Sequence, residues 1–568
     1  MSVQDARTLI GTALDDTMIV EAAAGTGKTT ELVGRIVRLI ETGRARVGEI
    51  VAVTFSEKAA GELKLRLREE LERARTKHGD DKPEAALLVQ AVHDFEDAHV
   101  STIHGFCAEL LRDRPVEACV DPAFIVLNES QAEAIFDEAF GGWLQDALAD
   151  PGEGVRRSLR RPVRWKSDDE EQNGPIARLR RAADELREWR DHAAAWKRPA
   201  YDRQADIKSL VDELRRVAEI TDGPLKKGDV LWQDTARLRR VSQEIERQRR
   251  VGGGDLDGWE ATLVQLADDR DLARSRKGSG TAYKAGVTRQ AAFDALNDLL
   301  QRLTAFRDSA DADLASLLHQ ELRGCLERYE ARKHAAGALD FLDLLIKARN
   351  LVRDQPAVRK RFRVRFRVLL VDEFQDTDPL QAELLRLLAC EEGGTLRRGA
   401  LFIVGDPKQS IYRFRRADVG AYRRIADQMG REGAMPVTLQ TSFRSVPSIQ
   451  RFVNAGFREE MTGDDESLQA TYVAMRPDRA DVPAQPAIVA LPVPRPYGSR
   501  SVTATALEES QPAAIGEFVR WLIHDSTWTV GEGSRVQGFK GSRVHGFKGS
   551  RVHGFKGSRV HGFKGSRV

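Results

Sequence analysis

The residues best suited to chemistry fall in three stretches. Ala22–Thr30, AAAGTGKTT, joins an apolar run to an amphipathic one. Small residues there let backbone N–H groups close on phosphate oxygens, and the helix N-terminus that follows adds partial positive charge. In that setting Ala22, Ala23, Ala24, Gly25, Thr26, Gly27 and Thr30 form the cradle of a nucleoside triphosphate such as ATP. Lys28 reaches the β- and γ-phosphates, and Thr29 ligates Mg2+. Ala22 stands where the strict pattern has its first glycine, a small-for-small exchange. The second stretch, LLVDEFQDTD (Leu369–Asp378), sets two acids at the end of an apolar run. Asp372 is the Mg2+ carboxylate candidate, and Glu373 the candidate base or positioner for an attacking water. In the third, GDPKQSIYRFRRADV (Gly405–Val419), Gln409 is an uncharged donor suited to sensing a γ-phosphate. Tyr412 and Phe414 are interleaved there with Arg413, Arg415 and Arg416. Aromatic faces among guanidinium groups suit single-stranded nucleic acid, where stacking contributes about 1–3 kcal/mol per base.

Each stretch has a plainer reading: a turn with a surface lysine, a pair of loop acids, a basic edge with core aromatics. The first two reinforce each other, because an acid at a strand end can reach a metal beside a phosphate loop. Together they imply binding and hydrolysis of a nucleoside triphosphate, which a kinase, a transporter or a switch ATPase would satisfy equally. The third favours nucleic acid.

These residues need a parallel α/β sheet to bring them together. TMIVEAAAG and EIVAVTFS read as buried strands, each followed by a helical pattern, the second being the long charged run EKAAGELKLRLREELERARTKHG. Strand patterns return at FRVLLVDEF, GALFIVGD and MPVTLQTSF. From about Glu129 to Arg361 the texture is helical, which implies one sheet domain interrupted by a large helical insertion. Within it, Gly252–Gly254 and RKGSGTAYKAG (276–286) read as surface loops. Trp143, Trp165, Trp189, Trp196, Trp232 and Trp259 read as packing anchors, and the runs RRSLRRPVRWK and RLRRAADELREWR as mostly solvated helix faces, the first basic enough to leave contact with duplex DNA open.

The chain of 568 residues is 41% hydrophobic and 31% charged, the composition of a globular protein. It has no apolar run of membrane-spanning length, so no membrane partner is expected. Its four scattered cysteines fit reduced thiols, and a cytoplasmic location is expected. The net charge of +2 is uneven: from Gly533 the chain carries nine cations and no acid, leaving −7 on the rest. Nucleic-acid contact by the body must come from local clusters.

In chain order, AAAGTGKTT, AVTFSEKAAGELKLRL, VSTIHGFCAELLR, GALDFLDLL, LLVDEFQDTDPLQ, IVGDPKQSIYRFRRAD and TSFRS resemble the motif series of superfamily 1A DNA helicases of the UvrD/Rep family. EAAAGTGKT, TIHGFCAELLRDRPVEA and GALDFLDLL are most similar to the RecB/AddA helicase–nuclease branch. The resemblance implies an ATP-dependent 3′→5′ DNA helicase of repair and recombination, with ATP and Mg2+ as cofactors. Single-stranded and partially duplex DNA would be its substrates, and its partner would be a second subunit of a helicase–nuclease. It implies that Phe55, Lys58, Thr102 and His104 contact single-stranded DNA, together with the Tyr412, Phe414 and Arg415 cluster. It places the adenine near Phe443, assigns base reading to Gln4, and has Arg444 reach the γ-phosphate. Gln4 lies farther from Lys28 than the pattern has it, and Arg416 stands where the family carries glycine. The implied architecture is a RecA-like P-loop domain from residues 1–104 and 362–438, a helical insertion over 105–361, and the start of a second RecA-like domain over 439–532.

Residues 533–568 repeat an eight-residue unit, GSRVHGFK, with Gln537 in the first copy where later ones have His545, His553 and His561. Such a Gly/Ser/Arg/Phe tail is expected to be disordered and could hold nucleic acid loosely. It begins where a second motor domain would gain its next strand, so the expectation is a truncation. The alternative function is then an ATP- and single-strand-binding fragment with weak ATPase and no unwinding.

Overall fold

A computed structural model describes residues 3–78, 83–161, 174–192, 194, 196–198, 200–251, 254–410, 419–463, 469–481, 485–491, 504–530 and 534–535. The chain divides into two compact units, one formed by Met1–Thr102 with everything from Arg363 onward, the other by Ile103–Phe362.

The first unit is built on six strands: β1 (Met18–Ala22), β2 (Ile50–Thr54), β3 (His99–Thr102), β4 (Val368–Val371), β5 (Leu401–Gly405) and β6 (Met435–Leu439). They pair in the order β6-β1-β5-β4-β2-β3, and every pairing is parallel. Val20 sits between Val437 and Val404, and Val53 opposite Val371. All residues of β2, β4 and β5 are buried, which explains their uninterrupted apolar sequences: helices cover both faces of a parallel sheet. The helices α1 (Val3–Thr12), α2 (Lys28–Glu41), α3 (Glu57–His78), α4 (Pro379–Ala389) and α5 (Val419–Arg431) belong to this unit. Asp378 caps α4 by accepting the Gln381 N–H, with Pro379 in the first turn.

One core residue is an arginine. Arg35, 1% exposed, donates to the carbonyls of Ile10, Ala13, Leu14 and Asp16 and lies over the Phe402 ring. It satisfies the carbonyls at the end of α1 and fixes the turn into β1. After β1 the chain crosses to one side of the sheet for β2, and after β5 it crosses to the other side for β6. The carboxyl end of β1 is therefore a topological switch point, where parallel α/β sheets hold ligands.

The second unit is mostly helical, its longest helix running Arg289–Glu321. It has two main apolar clusters, one around Leu210, Leu263 and Leu299, the other around Phe136, Leu179 and Tyr329. Three expectations need correction here. The stretch 276–286 is no plain surface loop, since Ala282–Lys284 pairs antiparallel with Val287–Thr288. Tyr283 is buried there and donates its hydroxyl proton to the Thr221 carbonyl at 2.6 Å. A three-residue strand is too short to show an alternating pattern.

The tryptophans split. Trp143 and Trp259 are buried, but Trp189, which ends a helix, Trp196, between helices, and Trp232, in the short helix Val230–Asp234, are 45%, 54% and 38% exposed. Trp196 stacks on His319 with ring centroids 4.8 Å apart. Trp165 lies outside the described residues. The charged runs are not wholly solvated either. Arg157 is fully buried against Asp313 at 2.6 Å and Glu260 at 3.0 Å, and Arg161 reaches Glu260 at 2.7 Å. Arg190 is buried among Asp340, Asp343 and Glu330. Helical spacing had put these arginines on a polar face, and carboxylates on other helices turn that face inward.

Candidate active site

β1 ends at Ala22, and the loop from Ala23 to Gly27 turns the chain into α2. Gly25 and Gly27 have φ of 75° and 85°, a region that side chains with a Cβ rarely enter, so the tight turn requires both glycines. Thr26 is fully buried, and its hydroxyl donates to the Ala23 carbonyl at 2.8 Å. Ala22 and Ala23 are buried and Ala24 half-buried. The Ala23 N–H is anchored to the Leu439 carbonyl. α2 begins at Lys28, which aims its free N-terminal amides at the loop. Thr30 is exposed at its first turn.

β4 delivers the acids. Lys28 Nζ lies 2.7 Å from Glu373 Oε2. The Asp372 carboxyl accepts the Glu373 N–H at 3.0 Å, and the Thr29 hydroxyl lies near it. Burial, then the neighbouring Glu373 charge, push its pKa up to about 6, against the opposing pull of Lys28 and the bond from Thr29. Asp376 is raised to about 6 for the same two reasons. Glu373 itself has φ 55°, in the left-handed region. A non-glycine residue held there stores backbone strain, as functional sites often do.

β5 ends beside them. Asp406 is 2% exposed, and its carboxylate accepts from Gln409 Nε2 at 2.7 Å and pairs with Lys408 at 2.9 Å. Two residues that sequence reasoning missed complete the group. Gln375 lies between Glu373 and Asp406 and bonds to both. Arg7, on α1, pairs with Glu31, donates to the Thr26 carbonyl, and lies 4.8 Å over the Phe443 ring. Gln375 stood inside a stretch already read for chemistry, but Arg7 had no signal beyond its place three residues after Gln4.

Phe443 and Arg444 follow β6 and return to the loop between β1 and α2. The Phe443 N–H donates to the Gly25 carbonyl at 2.8 Å. A Cβ on Gly25 would fall 2.5 Å from the Arg444 Cβ and 2.8 Å from Ser442 Oγ. Lys28, Thr29, Asp372, Glu373, Gln409, Phe443 and Arg444 thus converge on the carboxyl ends of β1, β4, β5 and β6. The backbone of Gln4 lies in α1, and its side chain is outside the described residues.

Of the remaining candidates, Phe55 is half-buried at the end of β2, and Lys58 is exposed in the first turn of α3. Thr102, at the end of β3, donates its hydroxyl proton to Glu57 Oε1 at 2.8 Å, next to Lys58. His104 belongs to the helical unit, where it meets Phe341 edge-on at 5.4 Å. Tyr412, Phe414 and Arg415 lie outside the described residues.

The residues at the switch point fit a magnesium-bound nucleoside triphosphate. The left-handed glycines and the amides of α2 form an anion cradle with a lysine at its mouth. The Thr29 hydroxyl and the Asp372 carboxylate are neighbouring hard oxygen donors of the kind Mg2+ prefers.

Residues 4–430 match the family described as the UvrD/REP helicase N-terminal domain. The chain is 28% identical to an ATP-dependent helicase/nuclease subunit of Bacillus cereus (strain AH187), over 82% of this chain and 40% of that protein. It is 27% identical to the protein of the same description from Bacillus thuringiensis subsp. konkukian (strain 97-27), with the same coverage. The chain therefore spans about 40% of the length of these relatives.

Proposed function

The chain belongs to the UvrD/REP helicase N-terminal-domain family, and from that membership we propose that it binds ATP with Mg2+ and hydrolyses it to drive 3′→5′ unwinding of DNA in repair and recombination. The observation that carries the reading is the ion pair of Lys28 with Glu373, which joins two strand ends far apart in sequence and brings Thr29 near Asp372 beside it. In this reading the amides of residues 24–29 hold the β- and γ-phosphates, and Lys28 leaves Glu373 to neutralise them. Thr29 and Asp372 hold the metal, which when bound draws charge from the phosphate oxygens. Glu373, freed from Lys28, orients the attacking water and takes its proton. The water oxygen bonds to the γ-phosphorus, the bond to the bridging oxygen breaks, and that oxygen departs with ADP. Gln409 and Arg444 approach the γ-phosphate from the other strand ends, an arginine in this role contributing roughly 10³–10⁵ in rate in other systems. Phe443 supplies a face for adenine, and Gln4 reads its edge.

Single-stranded DNA is assigned to Phe55, Lys58 and Thr102 at the ends of β2 and β3, with His104, Tyr412, Phe414 and Arg415. The domain reading keeps its boundaries: a motor domain over 1–104 and 362–438, an insertion over 105–361, and the start of a second motor domain over 439–532. The proposal extends to a cytoplasmic setting and to a partner that is the second subunit of a helicase–nuclease. Among the described residues no helix is long and apolar enough to cross a membrane.

The test is ATP hydrolysis by the purified chain with and without oligo(dT), beside unwinding of duplexes with 3′ or 5′ single-stranded tails. The reading expects hydrolysis that rises with oligo(dT) and disappears in Lys28→Ala, and unwinding of 3′-tailed duplexes only. ATP and DNA binding without unwinding would reduce the proposal to a binding module. Hydrolysis that survives Lys28→Ala would end it.

A further inference from the structure

Gln375 is 2% exposed between the carboxyl ends of β4 and β5, and its side-chain amide is engaged at both ends. Nε2 donates to Glu373 Oε2 at 2.8 Å and, more weakly, to Asp376 Oδ2 at 3.3 Å. Oε1 accepts the Asp406 N–H at 2.8 Å. These partners fix which way the amide faces, since a backbone N–H only donates and an ionised carboxylate only accepts. The fit is close: a Cβ on Gly405 would lie 3.0 Å from Gln375 Oε1. The Gln375 carbonyl in turn accepts the Ser410 hydroxyl at 3.1 Å. One residue thus joins Glu373 to both ends of the segment 406–410, which leads in sequence into Tyr412, Phe414 and Arg415.

We propose that Gln375 is the positioning residue for hydrolysis: its amide holds the Glu373 carboxylate on the attacking water and ties that carboxylate to the strand end that precedes the DNA-contact segment. The inference rests on the reading of Glu373 given above. Glu373 Oε2 is shared by two donors, Lys28 Nζ at 2.7 Å and Gln375 Nε2 at 2.8 Å. In the proposed cycle the phosphates claim the lysine, while the amide is left in place. A neutral donor suits the task, because it fixes a carboxylate without the full cationic charge that would reduce its basicity. The strained φ of Glu373 raises the need for such a hold, since a residue in a sparsely populated conformation persists only where its surroundings dictate it. An apolar residue at 375 would leave the buried Asp406 N–H without its acceptor and the half-buried Glu373 carboxylate one donor short.

Gln375→Glu separates positioning from packing. It keeps the shape and the acceptor for Asp406, but sets a new carboxylate against Glu373 and Asp376. Lys28 shares the same Glu373 oxygen, so its cation partly opposes the two acids, and the Asp406 carboxylate pairs with Lys408 on the β5 side. With two acids facing it, the new carboxyl should titrate above the usual carboxylate range, and once protonated it becomes a donor again.

The experiment compares the 568-residue chain, Lys28→Ala, Gln375→Leu and Gln375→Glu for steady-state ATP hydrolysis from pH 5.5 to 8.5, with and without oligo(dT). Thermal midpoints are recorded for all four. A misplaced catalytic group costs about 100-fold in rate, so Gln375→Leu should lose about that in kcat with KM little changed, and most of its oligo(dT) stimulation. Gln375→Glu should show the same loss at pH 8, and its activity relative to wild type should climb as pH falls towards 6. Retention of wild-type kcat in Gln375→Leu would overturn the inference alone. So would a flat ratio of Gln375→Glu to wild type across the pH range, which is what a packing role predicts. Wild-type hydrolysis indifferent to Lys28→Ala, or absent, would instead overturn the proposed function and this inference with it.

Discussion

Replacing either loop glycine by alanine should separate two costs that the structure assigns differently. Both residues have positive φ, so each alanine bears the left-handed penalty of about 1–2 kcal/mol. Only at Gly25 is the space also occupied. There the new methyl would lie 2.5 Å from the Arg444 Cβ and 2.8 Å from Ser442 Oγ, whereas at Gly27 it meets the tips of Arg7 at 3.7 and 3.8 Å and the Thr30 Cβ at 3.9 Å, all ordinary contacts. To restore ordinary contact, the segment 442–444 must retreat from the phosphate loop by about 1 Å, and overpacking of this kind costs about 1–3 kcal/mol. Gly25→Ala should therefore lose about 2–5 kcal/mol in all and Gly27→Ala about 1–2. If the segment yields, the difference of about 1–3 kcal/mol falls on nucleotide binding, at tenfold per 1.4 kcal/mol, making Gly25→Ala roughly 5- to 150-fold weaker than Gly27→Ala. Titration with a fluorescent ATP analogue, beside urea unfolding of both variants, measures the two parts. Equal affinity and equal unfolding midpoints for the two variants would refute the argument that Arg444 is seated against Gly25.

Arg157→Ala should destabilise the helical unit by about 1–3 kcal/mol in urea unfolding, because Asp313 and Glu260 each lose one buried partner while Arg198 still holds the first and Arg161 and Arg203 the second. An acid pH profile tests a second buried group. Burial pushes the Asp340 carboxyl up, but Arg190 and Lys333 outweigh it and hold the carboxyl below the usual carboxylate range. The unfolded chain then takes up the proton first, so the stabilisation is present at neutral pH and is lost as pH falls below about 4. The urea midpoint of the helical unit should hold steady from pH 7 to 5 and drop beneath that, and Lys333→Met should make the drop smaller, because the folded carboxyl then lies nearer its unfolded range. At Glu373, Gly and Ala both remove the carboxylate, yet only Gly relieves the left-handed φ. Glu373→Gly should unfold later than Glu373→Ala by about 1 kcal/mol, reversing the usual order of these residues.

What was legible in the sequence was the chemistry that is local to one stretch. A phosphate loop is a run of small residues between a strand and a helix, so Gly25, Gly27, Lys28 and Thr29 declare themselves in order. An uninterrupted apolar strand with acids after it does the same for Asp372 and Glu373. The parallel sheet followed from those apolar strands, and its strand ends gather the motifs. The ion pair between Lys28 and Glu373 was implied only indirectly, since nothing in either stretch states that they face each other.

The features that escaped share one physical reason: their character is decided by a partner on another element. Arg157 and Arg161 read as solvent-facing, because helical spacing says which residues share a face and nothing about what covers it. Asp313 and Glu260, on separate helices, turn that face into the interior. Tyr283 looked like a loop residue in a glycine-rich stretch until the Thr221 carbonyl took its hydroxyl proton. Arg7 matters because Phe443 and Glu31 come to it from elsewhere in the fold. Gln375 lies between the two cases. It sits in the same short motif as Asp372 and Glu373, but it acquires a task only when β5 is laid beside β4 and Asp406 presents its N–H. A residue type with no charge and no nucleophile gives no chemical signal by itself. In a site already crowded with carboxylates, that neutrality is what lets it hold one of them without changing what that carboxylate can do.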